Sequence, residues 1–237
     1  MEQKPAYQRV LLKLSGEALA AGADGLINTE FVAEIAEVLK KCLNAGVEIG
    51  IIVGAGNIWR GRQGKKMDAV RADHMGMLAT AINSLALQDA FIQAGIDTRV
   101  MTAVDINKFA EPFVRDNAVA HLSAKRVVIF GCGLGTPFMS TDTAAAVRAA
   151  EIGADVVLMA KNIDGIYTAD PRVDPTAKKL DTVSYREILS KGLAALDFTA
   201  TAFCMEKHIP VLAFGLDSAE NIYKAVMGEK LGTLITE

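Results

Sequence analysis

Three short stretches of this 237-residue chain combine glycine with cations or hydroxyls: Lys13-Leu14-Ser15-Gly16-Glu17, Gly54-Ala55-Gly56-Asn57-Ile58-Trp59-Arg60-Gly61 and Gly131-Cys132-Gly133-Leu134-Gly135-Thr136-Pro137. Glycine lets backbone N–H groups come close to phosphate oxygens, and Lys13 and Arg60 supply positive charge, so together they suit a polyanion. A fourth stretch, Asp164-Gly165-Ile166-Tyr167-Thr168-Ala169-Asp170-Pro171, offers an aromatic face and two carboxylates. That set suits a base or a ribose, although Asp-Gly and Asp-Pro also simply make turns. No G-x-x-x-x-G-K-[ST] is present, and in GAGNIWRG Trp59 stands where a G-x-G-x-x-G fingerprint needs its last glycine.

For these stretches to meet, the elements before them must end on one edge, as in an open parallel sheet whose ligands lie outside the strand carboxyl ends. Short β-branched runs at 9–14, 47–54, 98–103, 126–131, 154–160 and 209–215 alternate with helix-period stretches, the pattern of a mostly parallel sheet with crossover helices. Asn28 is placed to cap a helix running to Gly46, a second helix is expected over 73–95, and a third opens at Thr141-Asp142 and closes near Gly153. Ser184 with Glu187 forms a capping box, Ser218 starts a last helix closed by Gly228, and 232–236 reads as a final strand. The polar stretch 161–183 has no clear period and reads as a functional excursion from a single domain covering 1–237.

Composition narrows the class. Half the residues are apolar (51%) and 22% are charged, so a packed core is expected. Twenty-five basic against 28 acidic residues leave a net charge of −3, which argues against broad nucleic-acid binding. Cys42, Cys132 and Cys204 are too scattered for a disulfide framework, and His74, His121 and His208 do not combine with them at zinc spacing. No apolar run matches a membrane span of about eighteen residues, so the expectation is a soluble, cytoplasmic chain. The nine methionines, Met75 and Met77 among them, suit core or subunit contacts.

KLSGE, the GxGN-x-x-RG loop, the Thr-Asp opening a helix, DGIYTADP and the terminal GTLI resemble the amino acid kinase superfamily. ADHMGMLAT (72–80), STDTAA (140–145) and VMGEKLGTLI (226–235) narrow the resemblance to its bacterial uridylate kinase family, over essentially the whole chain. The resemblance implies a three-layer α/β/α sandwich that transfers phosphate from ATP to UMP with Mg²⁺. It assigns ATP contacts to Lys13, Leu14, Ser15, Gly16, Gly56 and Arg60, and, around adenine and ribose, to Lys161 or Asn162 with Tyr167 and Asp170. It assigns UMP contacts to Ala55, Asp73 and the loop Leu134, Gly135, Thr136, Pro137, Phe138, Met139, Ser140 and Thr141.

Lys13 and Arg60 then act on the phosphates, while Asp142 orients Lys13 or holds Mg²⁺ through water; no side chain is assigned as a direct metal ligand. Capping its own helix is the competing reading for Asp142, as it is for Asp73. The chain departs from the family pattern at Ala55, usually glycine, and at Leu134 and Thr136, where the family commonly reads TGNPFFTT. Carboxylate or carbamate kinases of the same superfamily, an oxometalate-storage protein and a UTP-responsive regulator are the rival readings. The family also implies a homohexamer inhibited by UTP and activated by GTP. Its activation segment is glycine-rich, whereas here AAGADGLIN (20–28) has few glycines. GTP activation is therefore expected to be weak or absent; a severalfold rate increase on adding GTP at subsaturating ATP would contradict this.

Overall fold

The computed structural model describes residues 4–22, 24–59 and 66–237. Arg60 lies outside the described residues. Along the chain run β1 (Arg9–Leu14), α1 (Gly16–Ala20), α2 (Thr29–Asn44), β2 (Glu48–Val53), α3 (Ala69–Gln93), β3 (Thr98–Thr102), β4 (Glu111–Pro112), α4 (Arg115–Ser123) and β5 (Val127–Gly131). They are followed by α5 (Thr141–Ile152), β6 (Val156–Lys161), β7 (Ile166–Tyr167), β8 (Lys179–Leu180), β9 (Thr182–Ser184), α6 (Tyr185–Lys191), α7 (Phe198–Glu206), β10 (Val211–Gly215), α8 (Glu220–Val226) and β11 (Thr233–Thr236).

Nine of these strands form one sheet in the order β4-β3-β5-β2-β1-β6-β10-β11-β9. The pairs are parallel except β10 with β11. Strands buried on both faces explain why the sequence shows apolar runs rather than alternation. Successive residues nevertheless serve opposite layers. Val10, Leu12 and Leu14 pack with Ile35 and Leu39 of α2, Leu87 and Phe91 of α3 and Ile222 of α8. On the other face Leu11, Val157 and Met159 pack with Leu122 of α4, Ala145 and Ala149 of α5 and Cys204 of α7. The result is the three-layer α/β/α sandwich expected from the sequence.

Two helix starts differ from the sequence reading, and in a third helix, which spans the residues expected, the cap is a different residue. Asp68 accepts from the Arg71 N–H at 3.1 Å and caps α3, so Asp73 lies inside the helix and is not its cap. Ser140 accepts from the Thr143 N–H at 3.0 Å and caps α5, which removes the capping role from Asp142. The last helix begins at Glu220 rather than Ser218, with Ser218 Oγ receiving the Glu220 N–H at 3.3 Å. The 161–183 stretch becomes the β7-β8 hairpin followed by edge strand β9.

Helix α3 is long and apolar enough to cross a membrane by length and composition. In the fold it covers the sheet through Leu87 and Phe91 and carries buried Asn83 and Ser84, the signature of a core helix. The three cysteines are free and buried. Burial pushes the Cys42 and Cys204 thiols up to about 12 and raises that of Cys132 as well. A raised pKa keeps a thiol protonated and unreactive at pH 8. Ellman titration at that pH is therefore expected to be slow in the native protein and to release three equivalents in denaturant; fast native labelling of any thiol would contradict this packing.

Candidate functional site

The carboxyl ends of β1, β2 and β5 open onto a cleft of about 500 Å³. Lys13, Ser15 and Gly16 line it from the first strand end, Ala55 and Gly56 from the second, and Asp73 from α3. Met139, Ser140 and Thr141 line it from the loop that leads into α5. These are residues that the sequence assigned to both the ATP and the UMP sides, brought to one cavity.

Lys13 occupies the central strand, and its side chain is only 14% exposed. A buried ammonium needs a partner, since desolvation costs several kcal/mol per ion. Asp142 supplies it: Oδ1 lies 3.0 Å from Lys13 Nζ. Asp142 sits in the first turn of α5, where the helix dipole favours a carboxylate. Leu14 points into the opposite layer, so only its backbone is available at the site.

The cradle is built by close backbone approach. A Cβ on Gly16 would fall 2.6 Å from the Gly54 carbonyl oxygen and 2.7 Å from the Gly56 nitrogen, distances no side chain tolerates. Asn57 of the GxGN motif and Asn83, which the motifs did not flag, hold this turn. Asn83, fully buried in α3, donates to Gly54 O at 2.8 Å and exchanges hydrogen bonds of 2.9 and 3.0 Å with Asn57. Asn57 in turn donates to Leu26 O at 2.7 Å, reaching the 20–28 segment. An asparagine inside an apolar helix run was the available signal for Asn83; nothing in its spacing named the partner.

Across the cleft, Asp73 accepts from the Phe138 N–H at 2.7 Å, joining α3 to the 134–141 loop. Phe138 has a φ of +67° and is largely exposed, a conformation that costs a non-glycine residue free energy and clusters at functional sites. Gly135, at φ +72°, lies so close to Ala103 that a Cβ would approach its carbonyl oxygen to 2.9 Å. Thr136 is exposed and Pro137 partly so, while Leu134 packs against the core beneath. Asp197, another residue that the motifs missed, caps α7 through Ala200 N at 2.9 Å and accepts from Thr143 Oγ1 at 3.2 Å and from Ser140 Oγ. It ties the starts of α5 and α7 together.

Tyr167 and Asp170 are not among the residues lining the cleft; they belong to the hairpin beside it. Tyr167 donates to Asp164 at 2.8 Å and Lys179 Nζ lies 2.9 Å from the same carboxylate, whose pKa the lysine holds down. Asp170 is engaged by Arg172 at 3.0 and 2.8 Å, which depresses its pKa likewise. Thr233 of the GTLI motif fastens the hairpin to the sheet, accepting from Ile166 N–H at 2.8 Å and donating to Leu180 O. Lys161 and Asn162 separate: Asn162 is exposed, whereas Lys161 is withdrawn and donates to the Ala195 carbonyl. Burial lowers the Lys161 pKa, opposed by nearby Asp142 and reinforced by Lys13.

The profile of the amino acid kinase family matches residues 8–214. The chain belongs to the amino acid kinase family. Among solved structures, UMP kinase from Bacillus anthracis is 36% identical, with a TM-score of 0.93 over 97% of this chain and 96% of that one. UMP kinase from Ureaplasma parvum is 34% identical, with a TM-score of 0.92 over 97% and 99% of the two chains. Uridylate kinase from Archaeoglobus fulgidus is 28% identical, with a TM-score of 0.72 over 96% and 99%.

The crowding at Gly16 has a direct consequence. Gly16→Ala forces the Gly54–Gly56 turn away from β1 and is expected to cost roughly 1–3 kcal/mol, the scale of overpacking. A urea midpoint unchanged from the parent protein would show that the turn yields freely.

Proposed function

We propose that this chain is a kinase that transfers the γ-phosphoryl group of ATP to UMP, giving ADP and UDP in pyrimidine nucleotide biosynthesis, as one domain covering residues 1–237. The observation that carries the reading is the Lys13–Asp142 pair in a glycine-lined cleft with Asp73 on its opposite wall. The likeness to UMP kinases along nearly the full chain supports UMP as acceptor over a carboxylate or carbamate.

Phosphoryl transfer demands alignment and charge compensation more than covalent help. The bond between γ-phosphorus and its bridging oxygen breaks as a UMP phosphate oxygen bonds to that phosphorus. Lys13 suits the charge that passes through the middle of this exchange, with Asp142 holding its ammonium in place. Backbone of Leu14, Ser15, Gly16 and Gly56 would hold ATP phosphates, with Arg60 as a further cation. Ala55, Asp73 and residues 134–141 would hold UMP, Asp73 exchanging the Phe138 N–H for ribose hydroxyls. Tyr167 and Asp170, with Lys161 or Asn162, would serve the donor side.

Asp142, with one oxygen on Lys13, would hold through water the Mg²⁺ that partly neutralises the ATP polyphosphate. Exposed Met75, Leu78 and Ile82 make an apolar stripe on α3 that suits a subunit contact in a homohexamer. UTP, carrying the same base and ribose as the acceptor, is the expected inhibitor, and GTP activation the weaker expectation. The buried free thiols suit the cytoplasm.

ADP formation from MgATP, with UMP, CMP, aspartate, glutamate and carbamate offered separately, tests the reading. Rapid turnover with UMP alone is expected, with kcat lowered about 10²–10³-fold in Lys13→Ala. Turnover with a carboxylate or carbamate instead would move the acceptor assignment elsewhere in the family, and silence with all five would point to a binding protein.

A further inference from the structure

The loop from Cys132 to Thr141 is fastened at several points. Thr80 Oγ1 accepts the Cys132 N–H at 2.8 Å, Asp73 accepts from Phe138, and Asp197 accepts from Ser140 Oγ. Thr80 and Asp73 line the cleft themselves, and Asp73 releases Phe138 when its carboxylate turns to a ribose. A further fastening comes from behind. Among the residues that α5 buries, mostly alanines, is Arg148, whose side chain is only 6% exposed. Its Nη2 donates to the Gly133 carbonyl at 3.3 Å, and its Nη1 lies 2.5 Å from a Glu151 carboxylate oxygen. The guanidinium carbon stands 3.6 Å from the centroid of the Phe113 ring, just after β4, and that ring meets Phe130 of β5 edge-on. Nε–H has no acceptor among the described residues. A buried guanidinium with a donor left over costs free energy that an apolar side chain in the same alanine-rich helix would not, so its place calls for a reason other than packing.

Gly133 lines the cleft at φ +57°. In a trans peptide the carbonyl and the following N–H point in opposite directions. With its carbonyl held by Arg148, the Gly133–Leu134 peptide therefore turns the Leu134 N–H away from the arginine, and among the described residues that N–H has no hydrogen-bond partner. The Leu134 side chain packs against the core and offers no polar atom. We propose that Arg148 is a positioning residue for UMP: by holding the Gly133 carbonyl it aims the Leu134 N–H into the cleft, as the donor for a carbonyl oxygen of the base. This rests on the kinase reading and deepens it, making the contact at position 134 one of backbone rather than side chain. Arg148 itself touches neither substrate. Its hold is buried and survives when the ribose takes Asp73 from Phe138, so the base end of the loop keeps its place while the Phe138 end adjusts.

The test compares the parent protein with Arg148→Lys, Arg148→Met and Glu151→Gln, each checked first by thermal unfolding. A lysine keeps a charge for Glu151 but lacks the planar fork that also reaches Gly133, whereas Glu151→Gln leaves the Gly133 contact in place. Three readouts are taken: steady-state UMP phosphorylation, separate calorimetric titrations with UMP and with MgADP, and amide hydrogen exchange across residues 132–138 in the free protein. Both Arg148 variants are expected to raise KM for UMP and weaken UMP binding roughly tenfold, the worth of a hydrogen bond from a charged donor, with kcat and MgADP affinity within about twofold of the parent. Exchange across 132–138 should quicken in both, and Glu151→Gln should bind UMP as the parent does. Arg148→Lys, which keeps the charge, decides should Arg148→Met fail to fold. An unchanged UMP affinity in Arg148→Lys would overturn the proposal. So would equal weakening of UMP and MgADP, or an equal loss in Glu151→Gln, since a general loosening of α5 produces both. Should the parent bind no UMP, the exchange measurement still decides on Arg148: faster exchange across 132–138 with 13–17 unchanged supports the loop anchor, and unchanged exchange overturns it. Failure of the UMP assignment and failure of this proposal are thereby read separately.

Discussion

A lysine at the end of the central strand of a sheet buried on both faces is an unfavourable place for a charge, and much of the architecture follows from relieving it. Asp142 offsets that cost by meeting Lys13 from the first turn of α5, where the helix dipole already favours a carboxylate. That meeting requires α5 to begin where it does. Ser140 as the cap fixes the start, and Asp197 holds Ser140 and Thr143 from the neighbouring helix. Moving the helix start by one residue would rotate Asp142 by about 100° and strand the ammonium.

The remaining walls are fixed by buried or half-buried polar groups that are fully engaged rather than by apolar packing alone. Asn83 and Asn57 secure the second glycine turn, and Thr80 Oγ1 accepts the Cys132 N–H at 2.8 Å to bind α3 to the third. Thr233 performs the same task for the hairpin. Each connection joins a loop to an element of the sandwich, so the loops inherit the rigidity of the sheet. Satisfied networks of this kind specify one arrangement, because breaking any link leaves a buried polar group without a partner.

Much of this was legible in the residues. The alternation of β-branched and helix-period runs predicted the parallel sheet, and the position of each glycine turn after a strand predicted one shared edge. The two-residue strands β4, β7 and β8 escaped because they are too short to show a period, and α7, FTATAFCME, because it is apolar around most of its circumference. Local capping chemistry was read correctly at Asn28 and Ser184. It was misjudged near 68–73, where two aspartates compete and only packing chooses between them. Lys13 and Asp142 could each be singled out, and the family resemblance already had Asp142 orienting Lys13, although no spacing rule links a strand end to a helix far along the chain. Asp197 and Asn83 were invisible as site components for the same reason: their partners are set by the layers.

The strand order carries a consequence for assembly. β1 comes first in the chain, yet it lies at the middle of the sheet, with β2 on one side and β6, far later in sequence, on the other. Closing the β1-β6 seam is a long-range event, and such contacts form slowly because the intervening chain must be ordered first. The contact of Lys13 with Asp142 is nearly as distant in the chain, since α5 must first pack on β1. A partly folded chain with its N-terminal half in place would therefore have two glycine turns and no working centre, which makes recovered catalytic capacity a late reporter in refolding, arriving with the last large loop closure rather than with the first helices.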